Sequence, residues 1–159
     1  MLSFPAAAFA TNCYVIATAP GQECLVVDPG IGVLDTLQAV FAEHRLRPAA
    51  VLLTHGHLDH VYSVTPVCGG EAPAVLPAYI HEQDRYRLED PIRLLDPMLV
   101  LAFEQQFGAK ATWSEPSEVV TFGNRQRDTF AFQRISGNQL WIINHTTPHP
   151  NGAQTFSES

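Results

Sequence analysis

The sequence contains few cysteines, and their spacing is irregular. Cys13, Cys24 and Cys68 are the complete set, and no C-x-x-C spacing occurs. An odd number of cysteines without such spacing predicts no disulfide framework and favours a reducing compartment. Because Cys13 and Cys24 lie far in sequence from the histidine-rich segment, we expect the cysteines to be small buried hydrophobes and not zinc ligands.

Basic residues and long apolar runs are also scarce. The chain has 9 Lys and Arg against 16 Asp and Glu, a formal net charge of −7, which argues against a nucleic-acid partner. No Lys or Arg precedes Arg45, so the positive region of a secretory signal is absent. No stretch approaches the ~18–20 apolar residues that span a membrane. Together these absences predict a cytoplasmic protein without a membrane partner.

The segments that are present predict an α/β fold. The chain has 159 residues, 46% of them hydrophobic, which suits one domain over residues 1–159. Residues 13–17 and Glu23–Val27 have strand composition and flank the turn signal Pro20-Gly21, which predicts a hairpin. Apolar spacing predicts a helix over 33–45. The continuous apolar run 49–53 is typical of a strand covered on both faces.

Prolines punctuate the following segment. Residues 75–81 have strand composition, and Pro77 predicts an edge strand or an irregular one there. Residues 82–101 have helical periodicity, and Pro91 and Pro97 divide them into two or three short helices. Val119–Phe122 and residues 140–143 are further predicted strands.

Residues 54–60, Thr-His-Gly-His-Leu-Asp-His, carry the densest set of metal-ligating groups. His55 and His57 lie two apart, so both imidazoles can converge on one ion. Asp59 and His60 follow at once and would serve a neighbouring second ion, because adjacent side chains usually diverge. An ion here would lower the pKa of bound water to about 7, which supports hydrolysis. The alternative is a set of turn and capping residues, with Asp59 capping a helix near His60.

Two readings of Asp28 stay open. It ends a predicted strand whose carboxyl end lies beside the motif, where ligand sites form in α/β sheets. Its carboxylate could orient a ligating imidazole, or Asp28 could form a turn with Pro29-Gly30.

The H-x-H-x-D-H pattern of residues 55–60, which follows Thr54, resembles the signature of the metallo-β-lactamase fold superfamily. The upstream segments sharpen this resemblance toward its glyoxalase II-like branch, the hydroxyacylglutathione hydrolases and their bacterial relatives. They are Asn12-Cys13-Tyr14-Val15, Val26-Val27-Asp28-Pro29-Gly30 and Val51-Leu52-Leu53-Thr54. The match covers residues 9–63 and implies an αββα sandwich.

The resemblance also implies a ligand near the end of the chain. Family members carry H-T-P-G-H-x-x-G-[SA], and residues 145–153 keep its two histidines, glycine and alanine but depart at Thr147, Pro148 and Pro150. The resemblance makes His149 the third ligand of the His55/His57 ion. A solvated histidine is the alternative.

The family pattern needs a bridging Asp and a final His beyond this point, which this chain lacks. We therefore expect a sandwich whose C-terminal half is truncated or degenerate. A fragment, an altered gene product and a short degenerate member all fit. An incomplete sandwich would expose apolar sheet surface, which predicts possible self-association.

The resemblance implies a metal-dependent hydrolase that cleaves a thioester or related ester of a small-molecule substrate. Zinc, one or two ions, is expected, with iron or manganese as alternatives. Asp59 would accept a hydrogen bond from the attacking water. Lactonase, β-lactamase, phosphodiesterase and mononuclear iron oxygenase activities are alternatives within the superfamily. A metal-binding module with little or no catalysis is the alternative outside enzymes.

Overall fold

The computed structural model describes residues 1–69 and 75–123, together with the backbone of two later strands. The strands are β1 (Leu2–Pro5), β2 (Asn12–Ala17), β3 (Glu23–Val27), β4 (Arg47–Leu52), β5 (Ala78–His81), β6 (Val119–Phe122), β7 (Thr129–Ala131) and β8 (Ile142–Asn144). The helices are α1 (Leu34–His44), α2 (Leu58–Val61), α3 (Val64–Val67) and α4 (Pro97–Phe107), with a 3₁₀ helix at Glu82–Leu88.

Strands β1 to β6 form one mixed sheet in chain order. β1 pairs with β2 and β2 with β3 in antiparallel fashion, so the predicted hairpin is confirmed. β3, β4 and β5 are parallel neighbours. Helix α1 connects β3 to β4, and helices α2 and α3 lie between β4 and β5. Helices that cross between parallel strands confirm the predicted α/β class.

The core lies on and around β3 and β4. Val26, Val51 and Leu53 are fully buried, and Leu37 of α1 packs in the same cluster. The run from Ala50 to Leu53 is buried throughout, which confirms a strand covered on both faces. The three cysteines are free and buried, as expected.

Of the two alternatives predicted for the strand at Pro77, an edge strand or an irregular one, the edge strand was wrong. β5 lies between β4 and β6 in the sheet. Pro77 comes just before the first residue of β5, and its carbonyl accepts a hydrogen bond from the backbone N–H of Val51 at 3.0 Å. A proline lacks only the donor, so at this position it still contributes to the sheet.

The chain divides into two compact units, Met1–Thr121 and Phe122–Ser159. In the second unit, β7 and β8 pair in antiparallel fashion, with Thr129 opposite Asn144. The single-domain assignment of residues 1–159 stays a prediction. Among the helices described, none has the length and apolar character needed to cross a membrane.

Candidate metal centre

The histidine motif begins where β4 ends, beside the end of β3. These strands run parallel, with Val27 opposite Leu52, so the residues that follow them meet at one edge of the sheet. Asp28 follows β3, and Thr54 lies two residues after β4. Strand order and direction alone therefore bring the two segments together, as expected for a site at the carboxyl ends of parallel strands.

Asp28 joins the two segments through its carboxylate. The side chain is 4% exposed. Its Oδ1 accepts a hydrogen bond from the Thr54 backbone N–H at 2.8 Å, and its Oδ2 accepts from the Thr54 hydroxyl at 2.6 Å. The same Oδ2 lies 2.9 Å from Nδ1 of His60. The backbone of Asp28 is left-handed, with φ 49°, and this turns the residue out of the strand direction.

Of the two readings of Asp28, this geometry favours the carboxylate that orients an imidazole. A carboxylate oxygen only accepts hydrogen bonds, so Nδ1 of His60 carries a proton, and in the neutral ring Nε2 keeps its lone pair. The orientation of the ring and its tautomer are both fixed by the residue that ends β3. A carboxylate that accepts a hydrogen bond from a ligating histidine also makes the other ring nitrogen a stronger electron-pair donor to a metal ion.

The imidazoles of His55 and His57 converge. Nε2 of His55 lies 3.0 Å from Nδ1 of His57. The hydroxyl of Thr54, which donates its proton to Asp28, accepts a hydrogen bond from Nδ1 of His55 at 3.1 Å. Nε2 of His55 therefore carries a lone pair directed toward His57. With no cation between them, His57 donates from Nδ1 to Nε2. With a cation, both nitrogens would present lone pairs to it.

Asp59 and His60 form a second pair beside the first. Nε2 of His60 lies 3.4 Å from Oδ2 of Asp59, and the ring centroids of His55 and His60 are 4.0 Å apart. Asp59 lies in the first turn of α2, whose N-cap residue is His57. The alternative in which Asp59 caps the helix is therefore wrong. Its Oδ2 instead accepts a hydrogen bond from the Thr11 hydroxyl at 2.7 Å.

The surroundings shift the pKa values of two of these imidazoles in opposite directions. Burial, reinforced by the neighbouring rings of His60 and His57, lowers the pKa of His55. Burial also opposes the charged form of His60, but the hydrogen bond and the negative charge of Asp28, with a further contribution from Asp59, outweigh it and raise the pKa of His60. His55 is therefore neutral at neutral pH, the form that binds a metal ion.

The donor atoms fit a divalent metal ion in two pairs. Two nitrogens bound tetrahedrally to zinc lie about 3.3 Å apart, given zinc–nitrogen distances of about 2.0–2.1 Å. The His55–His57 separation of 3.0 Å and the Asp59–His60 separation of 3.4 Å are both near this value. Within residues 1–69 and 75–123, no three His, Cys, Asp or Glu residues form a ready metal-binding group. Each pair therefore supplies two ligands and needs others.

Comparison with known proteins gives the same family as the sequence motif. The model of the metallo-beta-lactamase superfamily matches residues 6–157. The chain belongs to this superfamily. An uncharacterised protein of Mycobacterium tuberculosis (strain ATCC 25618 / H37Rv) is 41% identical over 153 residues, which are 96% of this chain and 62% of that protein. The chain thus spans less than two thirds of the length of this relative.

A shorter sequence match and two solved structures show which members of the superfamily the chain is similar to. A hydroxyacylglutathione hydrolase of Edwardsiella ictaluri is 38% identical over 60 residues, 38% of this chain and 22% of that enzyme. The crystal structure of TTHA1623 in a di-iron-bound form is similar with a TM-score of 0.55 and 28% identity, covering 77% of this chain and 54% of that one. BLEG-1, a B3 metallo-beta-lactamase, has a TM-score of 0.54 at 28% identity, covering 76% and 52%.

In this superfamily member, four predicted site residues lie together after β4. They are His55, His57, Asp59 and His60. Asp28 contacts this group through His60. His149 lies outside the described residues, so its role as third ligand stays a prediction.

Sequence reasoning missed Thr11 and Gly30. Thr11 contacts Asp59 from 48 positions away. A Cβ on Gly30 would lie 2.3 Å from the backbone oxygen of Asp59, so only glycine permits the approach of the β3–α1 loop to the motif. The signal available in the sequence was Gly30 itself, directly after Asp28-Pro29.

Proposed function

We propose that this chain carries the metal-binding part of a hydrolase that cleaves a thioester or related ester of a small molecule. The observation that carries the proposal is the convergence of the His55/His57 and Asp59/His60 pairs on one side of the sheet, each with donors 3.0–3.4 Å apart. The similarity to a hydroxyacylglutathione hydrolase and to a di-iron protein supports both the reaction class and the metal.

The residues of the chain have separable roles in this proposal. His55 and His57 hold one ion through Nε2 and Nδ1, with His149 as the ligand proposed from sequence to join them. Asp59 and His60 hold a second. An ion bound at such a site, zinc by preference and iron or manganese as alternatives, would supply Lewis acidity for the acyl carbonyl and for water.

The remaining steps belong to protein side chains. Asp59 accepts a hydrogen bond from the attacking water and orients it toward the acyl carbon. The bond from carbon to sulfur or oxygen then breaks, and the leaving group departs with a proton from water. Asp28 and Thr54 keep the imidazoles in the tautomers that bind metal, because each occupies the ring nitrogen that faces away.

The test is metal content and turnover of the full chain. We expect one to two zinc or iron ions per chain and hydrolysis of a glutathione thioester. His57→Ala should lower both metal content and rate. His44→Ala is the matched control, because His44 lies at the end of α1, away from the motif, and its side chain pairs with Glu43 at 4.0 Å. Less than one ion per chain, no turnover and no change in His57→Ala would contradict the proposal.

A second candidate is a metal-binding module without catalysis. The observation that favours it is that each donor pair in residues 1–69 and 75–123 has two ligands and no third. An ion that binds and is lost in His57→Ala, without turnover of thioesters, esters, lactones, β-lactams or phosphodiesters, would support this candidate. The similarity to BLEG-1 is the reason to include β-lactams in the panel.

A further inference from the structure

We propose that Thr11 is a positioning residue that fixes the Asp59 carboxylate for the ion shared with His60. This inference rests on the proposed function. The Thr11 hydroxyl donates to Oδ2 of Asp59 at 2.7 Å, and this same oxygen lies 3.4 Å from Nε2 of His60. Thr11 thus holds the carboxylate oxygen of Asp59 that faces His60, and not the other oxygen.

The chemistry of a carboxylate oxygen permits both contacts at once. Each oxygen has two lone pairs, so Oδ2 can accept from the Thr11 hydroxyl and still direct a lone pair toward an ion. The hydrogen bond restricts rotation of a carboxylate that is 31% exposed to water. Hydrogen bonds to ligating carboxylates of this kind raise metal affinity about 10- to 100-fold.

The loop that presents Thr11, residues 6–11 between β1 and β2, is closed at its base. The backbone N–H of Ala6 donates to the carbonyl of Thr11 at 2.8 Å, and that of Ala7 donates to the carbonyl of Ile31 at 3.0 Å. Phe9 and Ala10 adopt left-handed backbone, with φ 60° and 52°. Two consecutive non-glycine residues in this region are unfavourable and persist only where the surroundings impose them.

The β3–α1 loop packs closely against both the loop that carries Thr11 and the turn that carries Asp59. A Cβ on Gly30 would lie 2.3 Å from the Asp59 backbone oxygen and 3.2 Å from Cβ of Ala6. A Cβ on Gly32 would lie 2.7 Å from Cβ of Ala7. The two glycines therefore allow three segments to pack in direct contact, and the short Thr11 side chain reaches Asp59 because of it.

The experiment compares Thr11→Val with Thr11→Ser by titration of the metal-free full chain with Zn²⁺ alone. Valine keeps the shape of threonine and removes the donor, whereas serine keeps the donor. We expect the valine variant to bind the ion that requires His60 about 10- to 100-fold more weakly, with the ion that requires His57 unchanged. The serine variant should remain near wild type at both.

A general structural role predicts a different pattern. It would lower the unfolding temperature of the metal-free chain and weaken both ions together, so thermal unfolding in chelator is measured on each variant. If Thr11→Val does not fold, Thr11→Ala takes its place, because it also removes the donor without adding volume. In turnover with a glutathione thioester, the rate at saturating substrate should fall while KM stays within about twofold.

The outcomes separate the two proposals. An ion that His60→Ala removes and that Thr11→Val binds with wild-type affinity overturns the assignment of Thr11 and leaves the proposed function standing. A wild-type chain that binds an ion dependent on His57 and none dependent on His60 also overturns the assignment of Thr11 alone, whereas a wild-type chain with less than one ion and no turnover overturns both. Selective weakening in Thr11→Val with recovery in Thr11→Ser supports the assignment.

Discussion

Helices α1 and α4 are both 11 residues long, yet they contribute to the molecule in different ways. α1 packs on the main core cluster, to which Leu37 belongs and against which the partly buried Val40 and Phe41 pack. Each helix has one buried side chain, Leu37 in α1 and Phe103 in α4, but α4 is richer in apolar residues and leaves Met98, Leu99 and Leu101 exposed. Spacing along the helix, and not apolar content, decides how much of it is buried.

The positions of the two helices connect this difference in burial to the candidate site. α1 follows the β3–α1 loop that carries Asp28 and Gly30, so its packing holds that loop against the motif. α4 packs near this region through Phe103, in a small cluster with Ala8 and Ile31. We therefore expect α1 and the sheet to hold the candidate metal centre in place.

The largest expected effect comes from matched leucine truncations in the two helices. Leu37 is 1% exposed, so Leu37→Ala should lower the free energy of unfolding by about 2–5 kcal/mol. Leu99 is 43% exposed, and Leu99→Ala should change it by less than about 0.5 kcal/mol. Urea unfolding of both variants measures the difference. Equal losses would show that α4 is as well packed as α1.

A smaller contrast is expected at two glycines, one beside each helix. Gly30→Ala places a methyl group 2.3 Å from a backbone oxygen, so we expect a loss near 3 kcal/mol, at the upper end of about 1–3 kcal/mol for overpacking. Gly108, which ends α4, has nothing within 4 Å of its Cβ position but has φ +65°. Gly108→Ala should therefore cost about 1 kcal/mol, from backbone strain alone.

Zinc titration sharpens this second contrast. Gly30→Ala shifts the backbone of Asp59 and should weaken zinc binding, whereas Gly108→Ala should leave it unchanged. A Gly30→Ala variant with wild-type stability and affinity would show that the β3–α1 loop yields easily, contrary to the close packing described above.

A last contrast concerns the three cysteines, which all belong to the core cluster that contains Leu37 of α1. Burial raises the pKa of each thiol from 9.0 to about 12, with smaller contributions from Asp28, Glu23 and Glu118 respectively. At pH 8 the native chain should resist iodoacetamide, and all three thiols should react in urea. Rapid labelling of the native chain would contradict the packing of this region.

The same shifts give a pH dependence of stability. The unfolded thiols lose protons above about pH 9, whereas the folded ones hold them to about pH 12. The stability they contribute is thus complete below pH 9 and declines as pH rises from 9 toward 12. Urea unfolding at pH 8 and pH 10 measures it, with the lower stability expected at pH 10.

Local pattern predicted much of the fold. Glu23–Val27 and Val119–Phe122 have the predicted bounds, because β-branched and apolar runs there end at clear turn signals. β1 was missed, since Leu2–Pro5 is largely exposed and is a strand only through its pairing with β2. α4 extends to Phe107, beyond the predicted boundary at residue 101, because Gly108 and not a proline ends it.

The candidate site divides in a similar way. The grouping of His55, His57, Asp59 and His60 could be predicted because all four lie in one turn. The contact of Asp28 with His60 depends on the pairing of β3 with β4, and sequence left two readings open. Thr11 could not be predicted at all, because its approach to Asp59 depends on the absence of side chains at Gly30 and Gly32, a property of tertiary packing.

The left-handed turn at Asp28 makes the geometry of the candidate site depend on the register between β3 and β4. Its carboxylate reaches Thr54 and His60 only when Val27 lies opposite Leu52. A slip of one residue between β3 and β4 would move it by about 3.3 Å and break all three hydrogen bonds. A metal ion held by these histidines would thus bind only the correctly paired sheet, so its affinity would add to the energy gap between the native pairing and every shifted one.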